Sequence, residues 1–212
     1  MSISKDYQSL EIQSVDNFVK AVKQTSIKQV IYLSGIVNDQ TLSQHLNSRK
    51  LVEAHLQKGS YHLTTLRAGI IIGSGSASFE IIRDLVEKLP VMIAPKWLNT
   101  RCQPIAISDV IYLLAECLGN KATYDKNFDI GGPDILTYKQ MLLGYARVRK
   151  LGRKIFTVPV MTPRLSSYWL YFVTSTSYKL ASALVDSMKI EVVCRDSEIN
   201  DILDLKPLGY EQ

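Results

Sequence analysis

The chain has 212 residues, 46% of them hydrophobic and 21% charged, with 25 Lys and Arg against 20 Asp and Glu for a net charge of +5. This composition excludes disorder, collagen and a disulfide scaffold, and predicts a soluble globular chain with one good core and room for a small second lobe. The basic excess suits anionic ligands such as nucleotides and is too small to call for nucleic acid.

In chain order, Leu10, Val15, Phe18, Val19 and Val22 recur at helical spacing and predict an amphipathic helix over 7–25. The run QVIYL (Gln29–Leu33) then reads as a strand buried on both faces, the kind that parallel sheets use. Residues 41–58 read as a helix and HLTTLRAGIII (His62–Ile72) as one strand, followed by a Gly/Ser turn over 73–78 and a helix over Phe79–Leu89. Short strands are predicted at Val91–Ala94 and Pro104–Ile107, the latter followed by a helix capped by Ser108 and running to Leu118. A strand at Phe128–Ile130 ends in a Gly-Gly-Pro turn, Thr137 caps a helix to Arg149, and Ile155–Val158 is a last strand. Strands alternating with helices across short polar turns predict βαβ crossovers and a parallel sheet. Met161–Met188, rich in aromatic and hydroxyl residues, reads as two packed helices: a cover for the sheet's end, a lid over an apolar substrate, or a surface resting on a bilayer.

Cys102, Cys117 and Cys194 are scattered with no C-x-x-C pair, which predicts reduced thiols in a cytoplasmic protein and no zinc site. The first ten residues have no apolar signal core, and Leu165–Val185 is broken by Ser, Thr and Lys179, so neither a secretory signal nor a spanning helix is expected.

Gly73-Ser-Gly75-Ser-Ala-Ser78 approaches a dinucleotide-binding turn, in which small residues let phosphate reach amides at a helix start. Its third glycine is replaced by Ser78, however, and Lys96 follows the next strand where an acid for the ribose would be expected, so a plain strand-to-helix turn is favoured. Ser34 closes a buried strand, and His45 and Arg49 stand four apart on the following helix, hence on one face. Ligands of open α/β sheets gather beyond the strands' carboxyl ends, where a hydroxyl, an imidazole and a guanidinium could polarise a carbonyl or hold a phosphate. A capping serine with an exposed His and Arg is the plainer alternative. The basic run Arg147, Arg149, Lys150, Arg153 and Lys154 offsets a helix dipole or meets an anionic partner.

Taken together, NFVKA (17–21), VIYLSG (30–35), His45 and Arg49 with Glu53, LRAGIIIGSG (66–75), PIAISDV (104–110) and FDIGGPDILTYKQM (128–141) resemble the extended and atypical short-chain dehydrogenase/reductases. That superfamily includes nucleotide-sugar epimerases and NmrA-like proteins. The resemblance implies an α/β fold, a partial Rossmann-type parallel sheet flanked by helices, over 1–158, with a small C-terminal helical lobe over 159–212. It implies Ser34 and His45 at the reacting oxygen and Arg49 on the nicotinamide ribose, so the catalytic set is Ser34, His45 and Arg49. It further implies Leu33, Ser34, Arg49, Ala68, Gly69, Ile70 and Ile71 beside NAD or NADP. The family's Tyr-x-x-x-Lys pair is replaced here by His45 and Arg49, and Ala68 stands at a usual proline position. Imidazole can move a proton near neutral pH, whereas arginine does not titrate as lysine can.

The family's glycine-rich turn and first strand would lie ahead of this segment, so the expectation is a fragment or short form of an NAD(P)-binding reductase- or epimerase-like protein. Its substrate would be small or lipid-like, and the chain alone would hold the dinucleotide weakly or not at all. A non-catalytic dinucleotide-dependent sensor or assembly factor is the alternative. Partner expectations are no nucleic acid, peripheral membrane contact through 165–185, and self-association through an unpaired, apolar edge at 29–33.

Overall fold

The computed structural model describes residues 3–36, 44–158 and 188–212. Helix α1 (Ile3–Val22) leads into strand β1 (Gln29–Gly35), helix α2 (Gln44–Leu56) and strand β2 (His62–Ala68). Strand β3 (Ile70–Ile72), helix α3 (Ala77–Lys88) and strands β4 (Val91–Pro95), β5 (Arg101–Cys102) and β6 (Pro104–Ala106) come next. Helix α4 (Ile107–Glu116), strands β7 (Lys126–Ile130) and β8 (Leu136–Thr137), helix α5 (Tyr138–Val148), strand β9 (Lys154–Val158) and helix α6 (Glu198–Ile202) complete the described elements. The expected two helices over 161–188 and the membrane-facing stretch 165–185 fall almost wholly outside the described residues.

β1, β2 and β7 form a parallel sheet in the order β1-β2-β7, and among the described residues β1 pairs only with β2. Alternation gives β1 two half-buried apolar faces. Val30 and Tyr32 pack with Val15, Val19 and Leu56 of α1 and α2, while Ile31 and Leu33 pack on the other side with Leu66, Phe128 and Leu113. The Gln29 amide ties the far end of α4 to the start of β1: it donates to the Cys117 carbonyl at 2.8 Å and accepts from Gly119 N–H at 2.8 Å.

Several expectations are corrected. His62–Ile72 is two strands, because at Gly69 the chain leaves the β1-β2-β7 sheet and Ile70–Ile72 pairs instead with Pro104–Ala106. A Cβ at Gly69 would lie 3.2 Å from the Val192 carbonyl, so the chain crossing there leaves little room for a side chain. β4 does not join the main sheet but pairs in parallel with β9, and β5 and β8 make a small antiparallel pair that the sequence pattern did not disclose. α3 starts at Ala77, two residues earlier than the pattern predicts. Ser108 does not cap α4, which begins at Ile107 after an extended Ala106 with no side-chain cap. Thr137 does cap α5, with a reciprocal bond from its own N–H to Gln140 that completes a capping box.

Residues 188–212 pack against the sheet. Ile199 is fully buried and joins Leu203 in the core formed by Leu66, Phe128 and Ile130. Asp109 accepts from Leu208 N–H at 2.9 Å, and Tyr210 Oη donates to the Met141 carbonyl at 2.9 Å.

Candidate functional site

The parallel register aligns Ser34 of β1 with Arg67 of β2, and Arg67 with Asp129 of β7. Aligned residues of a parallel sheet share a face, so these three form one polar row near the strands' carboxyl ends, on the side that α1 and α2 cover. Each member is handled differently. Ser34 is buried, and among the described residues its Oγ has no hydrogen-bond partner; Tyr32 Oη and Thr65 Oγ1, one step back on the same face, are likewise buried and without a partner among the described residues. Arg67 donates twice to Glu53 of α2, from Nε at 3.2 Å and from Nη2 at 2.6 Å. Asp129 receives the Arg195 guanidinium at 2.7 and 2.9 Å and the Arg195 N–H at 3.2 Å.

An unpaired buried hydroxyl costs about 1–3 kcal/mol, and native folds keep few of them. Among the described residues, three such hydroxyls lie on one face of two adjacent strands. Ser34 stands at the mouth of that face, next to Gly35 opposite Ala68, and the Ile36 N–H donates to the Ala68 carbonyl at 3.0 Å.

The structure brings some of the sequence-predicted residues together. Ser34, Ala68, Gly69 and Ile70 gather where β1 and β2 end and β3 begins. The side chains of Leu33, Ala68 and Ile71 pack into the core beneath α4 and that of Ile70 into the core beneath α3 and α5, which leaves backbone and small atoms to meet a ligand. His45 lies in the first turn of α2. Arg49 follows one turn later and, with Leu10, Glu11, Ser14, Val15 and Val52, lines an open groove of about 400 Å³ between α1 and α2.

In the glycine-rich turn over 73–76, Glu80 accepts from Gly75 N–H at 3.4 Å and pairs with Arg83, so a carboxylate lies against this turn. The basic run is largely spoken for as well: Arg147 pairs with Glu211, Arg149 with Glu87 at 2.8 Å, and Arg153 donates to the Val86 carbonyl at 2.6 Å. Cys194 lies beside Gly131 and Asp129, but burial pushes its thiol up to about 12, so it does not offer a thiolate nucleophile at neutral pH. No group of three metal-binding side chains occurs among the described residues, nor does any described helix have the length and apolarity to cross a membrane.

Arg67, Asp129 and Arg195 were missed as site residues. The signal for Arg67 was an arginine inside an apolar strand, which must find a buried partner. Arg195 lies 66 residues from Asp129, and no local pattern links them.

No protein-family model matches the sequence, and no curated protein matches it. Solved structures do match in fold. A nucleoside-diphosphate-sugar epimerase from Staphylococcus aureus superposes with a TM-score of 0.74 at 14% identity, over 100% of this chain and 71% of its own. An NADPH-dependent quinone oxidoreductase from Escherichia coli gives 0.74 at 15% identity, over 93% and 70%. The Citrobacter triphenylmethane reductase, solved with NADP(H), gives 0.73 at 14% identity, over 96% and 70%. The chain thus spans about seven tenths of the length of these structures and shares their α/β fold, a parallel sheet flanked by helices.

Proposed function

We propose that this chain carries the reaction end of an NAD(P)-dependent reductase or epimerase site for a small or lipid-like substrate. The observation that carries the proposal is the buried Ser34 hydroxyl, without a partner among the described residues, at the carboxyl end of β1, beside the β2–β3 junction at Gly69. When bound, a nicotinamide cofactor supplies or accepts hydride. Ser34 would donate to the reacting oxygen, His45 would hold or release the proton there, and Arg49 would hold the ribose by charge without titrating. The 68–71 backbone would lie along the ring. The orphaned Ser34 hydroxyl fits such a ligand, whereas among the described residues the 73–76 turn does not fit a pyrophosphate. Cofactor binding by the 212-residue chain is accordingly weak.

NMR titration with NADPH and with NADH tests this. The expected result is a shift of amides 33–36 and 68–71, with a dissociation constant weaker than roughly 0.1 mM, or about 5.5 kcal/mol of binding. Micromolar binding, or shifts confined to other residues, would sink the reading. His45 and Arg49 in place of the Tyr and Lys of the family also favour a second reading, a non-catalytic dinucleotide sensor or assembly factor. A turnover abolished by His45→Ala selects the enzyme; partner binding without turnover selects the sensor.

A further inference from the structure

Among the described side chains of α2, Leu56 is buried, Leu51 and Val52 are half-buried, and the polar Ser48 and Glu53 are buried as well. Two of its polar anchors reach α1 and not the sheet: Ser48 donates to Glu11, and His55 meets Asp16 at 2.6 Å. The anchor to the sheet is Glu53, whose side chain is 6% exposed, clasped in a two-point bond by Arg67 at 14%. Buried ion pairs of this kind add little net stability over apolar residues of the same volume, and their best-attested use is to fix a register.

Positions 45, 49 and 53 succeed one another at steps of four and so form one stripe on α2. Arg67 stands in register with Ser34 on the neighbouring strand. One ion pair therefore joins the helix that carries His45 and Arg49 to the strand row that carries Ser34.

We propose that Glu53 and Arg67 are the positioning residues of this site, setting the rotation of α2 about its axis against β2 and thereby where positions 45 and 49 come to lie. The inference deepens the proposed function and rests on it for its consequence, but its geometry is testable separately. Nitroxides at Lys50→Cys on α2 and Lys121→Cys before β7, in a Cys194→Ser background, report the helix-to-sheet distance by pulsed electron resonance. Arg67→Met, Glu53→Gln, Arg67→Lys and the charge swap Glu53→Arg/Arg67→Glu are compared, with NADPH-induced amide shifts at 33–36 as the second readout.

The expected result is a shifted or broadened distance distribution in Arg67→Met and Glu53→Gln, at least threefold weaker NADPH response, and partial recovery of both in Arg67→Lys and in the swap. Should Arg67→Met fail to fold, Glu53→Gln, which keeps the shape and neutral hydrogen bonds of its side chain, carries the test. Variants that only melt at lower temperature, with distances and NADPH response unchanged, overturn the proposal, as does a folded swap with no recovery. If the wild-type chain shows no NADPH shifts at all, the functional reading falls while the distance data still decide the positioning.

Discussion

The Asp129–Arg195 pair predicts an asymmetry that can be measured. The Asp129 side chain is fully buried, whereas that of Arg195 is 49% exposed. In Arg195→Met the carboxylate keeps its place but loses two charged donors, at 2.7 and 2.9 Å, and retains only the backbone N–H at 3.2 Å. Stranding a buried charge costs about 3–5 kcal/mol. In Asp129→Asn the guanidinium can turn into water, and the amide still accepts one bond, so the loss is about 1–2 kcal/mol. For a domain of this size each kcal/mol moves the midpoint by roughly 2–4 °C, which gives a fall of about 10 °C for Arg195→Met against about 4 °C for Asp129→Asn. Urea titrations with thermal melts on both variants and the double variant check this. The double variant should resemble Asp129→Asn, since no charge is then left behind. Equal losses in the two single variants, or the reverse order, would refute the reasoning.

Two further outcomes follow from local geometry. Thr137→Ala removes the α5 capping box, so stability should fall by about 1 kcal/mol, read from the urea midpoint. Burial pushes the Cys102 and Cys194 thiols up to about 12 and raises that of Cys117, so a disulfide reagent at pH 8 should modify the native thiols far more slowly than free cysteine, by on the order of a thousandfold for Cys102 and Cys194, and at full rate in urea.

The elements that the sequence disclosed are those with strong local signatures. Val30, Ile31, Tyr32 and Leu33 form an unbroken apolar run, and the structure half-buries it, packing alternate residues on opposite sides of the strand. Thr137 followed three residues later by Gln140 is a capping box on paper and in space. The division at Gly69 was not legible, because an uninterrupted apolar stretch looks the same whether its two halves pair with one neighbour or with two. Two-residue strands such as β5 and β8 leave no periodicity to read. Of the proposed site, Ser34, His45 and Arg49 stand out in the sequence as residue types at meaningful spacing. The partners that hold the polar row, Glu53 for Arg67 and Arg195 for Asp129, depend on tertiary contact, and of these only Glu53 was noticed, through the family resemblance.

The corner at Gly69 couples two otherwise separate ladders. A single residue separates the last rung shared by β1 and β2 from the first rung shared by β3 and β6, and the Val192 carbonyl sits against that residue. Any tug on the crossing chain near Val192 is therefore delivered to the corner with little slack, and from there to Ser34, whose strand ends beside it. An occupant lodged near Ser34 would in turn stiffen that crossing. Slower amide exchange around residue 192 would then report remotely that a ligand is bound beside Ser34.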